Sequence, residues 1–228
     1  MSDKIEVTPG GPSMPPLNKV ELQGTLRISD RTPRRLGATL VPVLLGDIQT
    51  DLDTVGGRHQ VQIVGAQVQS TLQAEQTARG RRLPLQAHLR GRLWSGCPAF
   101  IEVQNIEFFL DAGPVRGLNS VELQGRFTPE FSGEKLIYDA QQKRRVLQPI
   151  LWGGLETTLP VEGGRHRVLF VGGRRVSAIV EAAHRWSLIP SQPSLRAHVR
   201  GALYSAVGDD EEDFVEARYI DFYGLPAE

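Results

Sequence analysis

Arg90, Arg92 and Trp94 alternate along one stretch of the chain, with His88 two residues before them. Arg196, His198, Arg200 and Tyr204 repeat the arrangement about a hundred residues later. In an extended strand successive side chains point to opposite faces, so each set shares one face. Leu85, Ala87, Leu89, Gly91 and Leu93 take the other face in the first copy, and Leu195, Ala197, Val199, Gly201 and Leu203 take it in the second. Guanidinium groups beside a ring offer cations for phosphates and flat surfaces for bases, which is the chemistry of single-stranded nucleic acid. Arg58, Arg165 and Arg167 add cations from a second pair of repeated stretches, and Trp152 adds a ring. Arginine serves both purposes, because its planar head stacks on a base while meeting a phosphate. A solvated strand face uses the same residue types; recurrence in two copies is what favours binding.

Other chemistries find no support. The five histidines include two repeat-equivalent pairs, His59/His166 and His88/His198, as binding or structural positions would. No Cys-x-x-Cys or His-Glu-x-x-His spacing suggests a metal, and Val171-Gly172-Gly173-Arg174-Arg175 lacks the Lys-Ser/Thr ending of a phosphate loop. Cys97 has no nucleophile signature around it, and a lone cysteine excludes a disulfide framework, which fits a reducing compartment. The expectation is a non-enzyme with no cofactor. The chain has 26 Lys and Arg against 26 Asp and Glu, so its net charge is zero. Nucleic-acid binding must therefore rest on where the charges lie. Five acids cluster at Asp209–Asp213, a tip that repels phosphate, meets a basic partner or, as is commonest for such runs, is a solvated turn with no role.

The elements that position these residues come in duplicate. Leu17-Asn18-Lys19-Val20-Glu21-Leu22-Gln23-Gly24 returns as Leu118-Asn119-Ser120-Val121-Glu122-Leu123-Gln124-Gly125, and Ile106-Glu107-Phe108-Phe109 returns as Ile220-Asp221-Phe222-Tyr223. Gly56-Gly57-Arg58-His59 and Ala87-His88-Leu89-Arg90-Gly91 recur between them in the same order, and the offset grows from 101 to 114 residues. Such self-similarity marks two copies of one domain, with longer loops in the second.

Within the first copy, period-two alternation predicts strands over 18–28, 38–48, 58–69, 84–95 and 99–110, with Pro42 marking an edge or a bulge in the second. The polar stretch Ser70–Gly80 predicts a short helix capped by Ser70. The order β-β-β-α-β-β is that of the OB fold, a five-stranded barrel, and glycines 24, 91, 125 and 201 suit its sharply bent strands. The expected fold class is all-β: residues 1–16 a disordered leader, 17–112 the first OB-fold domain and 113–228 the second, each with a short helix between its third and fourth strands. The leader has no apolar core and does not read as a signal peptide. No apolar run is long enough to span a membrane.

These residues resemble those of the bacterial single-stranded DNA-binding protein family. Asn18-Lys19-Val20-Glu21-Leu22-Gln23-Gly24-Thr25-Leu26 is similar to the opening strand of that family, Arg165-His166-Arg167-Val168-Leu169-Phe170-Val171-Gly172 to the third, and Leu89-Arg90-Gly91-Arg92-Leu93-Trp94 to the fourth. The chain departs from the pattern where Arg58 and Arg165 stand in place of the aromatic that precedes the third-strand histidine, and the residues up to Glu228 show no Gly-rich linker or acidic tail.

The resemblance implies non-sequence-specific binding of single-stranded DNA, with RNA a second candidate, in replication, recombination or repair. Arg58, His88, Arg90, Arg92, Trp94, Trp152, Arg165, Arg167, Arg196, His198, Arg200 and Tyr204 would carry it. It further implies a homodimer presenting four OB domains, replication or repair proteins as partners, and a cytoplasmic, nucleoid-associated setting without membrane contact. The competing reading is a protein-interaction or primosome-accessory module with weak or no DNA binding.

Overall fold

A computed structural model describes Val7–Thr8 and residues 17–36, 38–50, 57–96, 99–110, 117–139, 143–157, 164–187, 195–205 and 212–223. Cys97, most of the expected leader, the 111–116 boundary and three of the five clustered acids lie outside the described residues. Those described are mostly strand, with two helices. The chain divides into two compact units, one built chiefly on Asn18–Val121 and the other on Glu122–Ala202 with Phe214–Glu228.

In the first unit, β1 (Asn18–Asp30) pairs antiparallel with β2 (Val43–Gln49), and β2 with β3 (Arg58–Val64). Helix α1 (Ala66–Arg81) leads to β4 (Gln86–Trp94) and β5 (Phe100–Phe109). β5 runs parallel to β3 and antiparallel to β4, and β4 returns to β1, so the five strands close a ring. Alternation drives this. Val20, Leu22, Leu26, Ile48, Val61, Ile63, Leu89 and Ile101 fill the inside, almost wholly shielded from water. Gly24 is needed where β1 bends against β2, because a Cβ there would lie 1.9 Å from the Gln49 carbonyl oxygen.

Pro42 ends one strand and precedes another: Thr39–Val41 pairs with Arg34–Leu36 in a separate ribbon, and β2 begins at Val43. Proline has no N–H for the ladder, so the strand breaks there. Ser70 does not cap α1. Gly65, at φ 69°, turns the chain directly out of β3, and Ser70 lies inside the helix donating its hydroxyl to the Gln67 carbonyl. Val68, Thr71, Ala74 and Ala78 bury one side of α1.

The second unit repeats the ring. β6 (Leu118–Asp139) and β7 (Arg144–Thr157) form a long antiparallel hairpin, and β7 pairs with β8 (Arg165–Val171). Helix α2 (Gly173–Ser187) leads to β9 (Leu195–Tyr204) and β10 (Phe214–Tyr223). β10 runs parallel to β8, and β9 pairs with both β10 and β6. Phe127, Phe170 and Phe222 form the centre of its core, with Phe127 edge-on to Phe170 at 5.5 Å. Val7–Thr8 runs parallel to Phe222–Tyr223 at the edge of this sheet. No helix among the described residues is long and apolar enough to cross a membrane.

Candidate nucleic-acid interface

The outer face of β7 and β8 gathers rings around a cation. Trp152 stands on β7 opposite Leu169 of β8, and the Arg167 guanidinium carbon lies 4.5 Å from the centre of its ring. The Phe214 ring meets Trp152 edge-on at 5.1 Å, and Phe131, 61 % exposed, is the cross-strand partner of Trp152 on β6. Parallel pairing of β10 with β8 sets Phe214 opposite Arg167. The flat surfaces and the charge needed to stack on unpaired bases thus sit side by side.

Arg165 begins the same strand and donates to the Glu130 carboxylate. That carboxylate reaches it because the β6–β7 register shifts between Trp152 and Gly153: Gly153 pairs with Pro129 and Trp152 with Phe131, leaving Glu130 as the extra residue of a bulge. Beside the pair, Arg126 donates to Glu156. In the first unit the corresponding Arg58 donates to Asp47 at 2.7 Å.

The fourth-strand set is distributed differently. Arg90 and His88 of β4 both meet one carboxylate of β1, Glu21, each at 2.9 Å. The Arg90 guanidinium, and after it His88, holds the Glu21 carboxyl below its usual range against the opposing effect of burial. In the second unit His198 meets Glu122 at 2.8 Å, while Arg200 lies 3.6 Å from Asp221 and 5.5 Å from the Tyr219 ring centre. Trp94 stacks flat on Phe100 with centroids 6.1 Å apart and donates its indole N–H to Glu102 at 2.8 Å. Arg92 and Arg196 are exposed, and Tyr204 is half-buried.

The expected residues therefore do not share one surface. In the first ring β5 separates β3, with Arg58, from β4, with His88, Arg90, Arg92 and Trp94. The second ring likewise has β10 between β8, with Arg165 and Arg167, and β9, with Arg196, His198, Arg200 and Tyr204. Gln86, which alternation sends outward, is instead buried and donates to Thr25. His59 and His166 are buried as well, and burial pushes both down to about 4, so they are uncharged at neutral pH. Among the described residues no three His, Cys, Asp or Glu side chains converge as a metal site.

Sequence reasoning missed Phe131, Phe214 and Glu130. Phe214 was open to discovery as the repeat of Phe100, since both stand six residues before the recurring Ile106 and Ile220. Phe131 and Glu130 were not, because the bulge that aims them leaves no mark on the alternation.

No protein-family model matches the chain, and no curated protein matches it in sequence. Solved structures do. Wild-type single-stranded DNA binding protein from Thermus aquaticus aligns with a TM-score of 0.55 at 19 % identity, over 93 % of this chain and 94 % of that one. A deletion variant of the same protein aligns with a TM-score of 0.53 at 21 % identity, over 93 % and 96 %. The likeness is one of fold.

Proposed function

We propose that the protein is a tandem pair of OB-fold domains that binds single-stranded DNA without sequence preference. Phosphates are neutralised by strand-face arginines and bases stack on strand-face rings. The observation that carries this reading is Trp152 with Arg167 over its face and Phe131 and Phe214 beside it. The second and third strands of an OB barrel, with the loop that joins the first two, are where such folds take oligonucleotides. β7, β8 and the β6–β7 hairpin occupy those places in the second ring. The fold likeness to a single-stranded DNA binding protein supports the same assignment.

The wider role follows from this reading: coating of exposed strands during replication, recombination or repair, by a homodimer that presents four OB domains. Fluorescence anisotropy of labelled oligo-dT, with unlabelled duplex DNA and oligo-U as competitors at several salt concentrations, tests it. Oligo-dT should bind at low salt and resist competition by duplex, and oligo-U reports on RNA. Absence of binding by folded protein favours the protein-interaction reading instead.

A further inference from the structure

The two copies place one acid on the third-strand arginine by different routes. Register makes the correspondence residue by residue. Arg58 faces Gln49 as Arg165 faces Glu156, and the bulge that skips Ser29 between Ile28 and Asp30 matches the one that skips Glu130 between Pro129 and Phe131. In the first copy the bulge residue is Ser29, which donates to the Leu45 carbonyl, and the acid is Asp47 on the neighbouring strand. In the second copy the position of Asp47 is taken by Gly154, and the acid is Glu130 in the bulge. The loss of Gly154's side chain and the gain of Glu130's go together: a Cβ on Gly154 would lie 2.6 Å from Arg165 Nε and 2.9 Å from Glu130 Oε1. The pair lies across the glycine, in the space a side chain would fill. A bulge is a device for re-aiming a side chain, and here it aims a carboxylate at a cation on the ring-bearing face.

We propose that Glu130 is an affinity-setting residue: its carboxylate occupies the place of a backbone phosphate on Arg165, and a bound strand must displace it. The inference rests on the reading of this face as a DNA surface. The displaced carboxylate draws a cation back from solution, offsetting part of the counterion release that drives binding. The face thereby keeps its arginine oriented yet electrically satisfied when no strand is bound. Binding then falls less steeply with salt than the number of phosphate contacts implies.

The test is E130Q, whose amide oxygen still accepts from Arg165 but carries no charge. E134Q is the control: Glu134 is exposed on the same strand, opposite Pro149, and the substitution makes the same change in net charge. Oligo-dT affinity is measured for wild type and both variants from low to moderate salt. The expected result for E130Q is roughly two- to five-fold tighter binding at low salt, the size of an exposed ion pair, and a log–log salt slope steeper by about 0.7, one phosphate on a single strand. E134Q should match wild type in slope. If wild type binds and E130Q is unchanged, weaker or equalled by E134Q, Glu130 does not stand in for phosphate. If neither wild type nor E130Q binds, the DNA-binding reading itself falls.

Discussion

Arg167 lies over the ring of Trp152, its guanidinium carbon 4.5 Å from the ring centre, at the middle of a face that also presents Phe131 and Phe214. Period-two alternation brings the two side chains together from adjacent strands, and neither reaches the core. A planar cation on an indole is pre-organised to extend the stack to an incoming base. R167A should weaken oligo-dT binding, and R167K should regain salt sensitivity without full affinity, because an ammonium does not stack. Equal affinity of R167K and wild type would show that charge alone matters there.

Arg90 is expected to matter less. Its Nε–H is committed to Glu21, which also takes His88, and β4 is separated from β3 by β5. R90A should cost less oligo-dT affinity than R167A when both are measured by anisotropy in one buffer. A larger loss for R90A would move the interface to the fourth strand.

That contrast shows how far the sequence could be read. The duplicated ring was legible because its signals are local: alternation of Val20, Leu22 and Leu26, and glycines where strands cross closely. The outward direction of His88, Arg90, Arg92 and Trp94 followed from the same period. What alternation cannot carry is which strand lies next to which carboxylate. Glu21, Asp47 and Glu130 claim Arg90, Arg58 and Arg165 through register between strands, at separations of 69, 11 and 35 residues. The bulge at Glu130 depends on a register shift, which single-strand periodicity does not encode. Serine is a good helix cap in general, but at the start of α1 Gly65, at positive φ, does the turning and Ser70 lies inside the helix.

Acid should destabilise the fold through His59 and His166. Both are buried, and their folded values of about 4 lie below the ordinary 6.5, so between these limits the unfolded chain binds more protons. Stability from this source is complete above pH 6.5 and is lost as pH falls toward 4, by about 3 kcal/mol for each histidine. Urea titrations at pH 7.0 and 5.0 measure the loss. H166Q should reduce the difference between the two pH values, and an unchanged difference would show that His166 titrates freely in the folded protein.

Phe127 packs against Phe170 and Phe222 and also closes over Gly153, where a Cβ would lie 2.4 Å from its ring. F127A should destabilise the second ring by about 3–5 kcal/mol, the usual loss for a buried phenylalanine. Thermal unfolding followed by circular dichroism should show it. A loss below about 1 kcal/mol would mean that neighbouring side chains collapse into the space.

Stacking of bases on Trp152 is most directly tested by fluorescence. Of the three tryptophans, Trp186 is buried on α2, whereas Trp152 and Trp94 are both half-buried on strand faces, so intrinsic fluorescence during an oligo-dT titration reports on these two and W152A isolates the share of Trp152. Wild type should be quenched in a saturable manner. W152A should lose most of that quenching and weaken binding by the ~1–3 kcal/mol typical of one stacked base. Full quenching and unchanged affinity in W152A would contradict the assignment of this face.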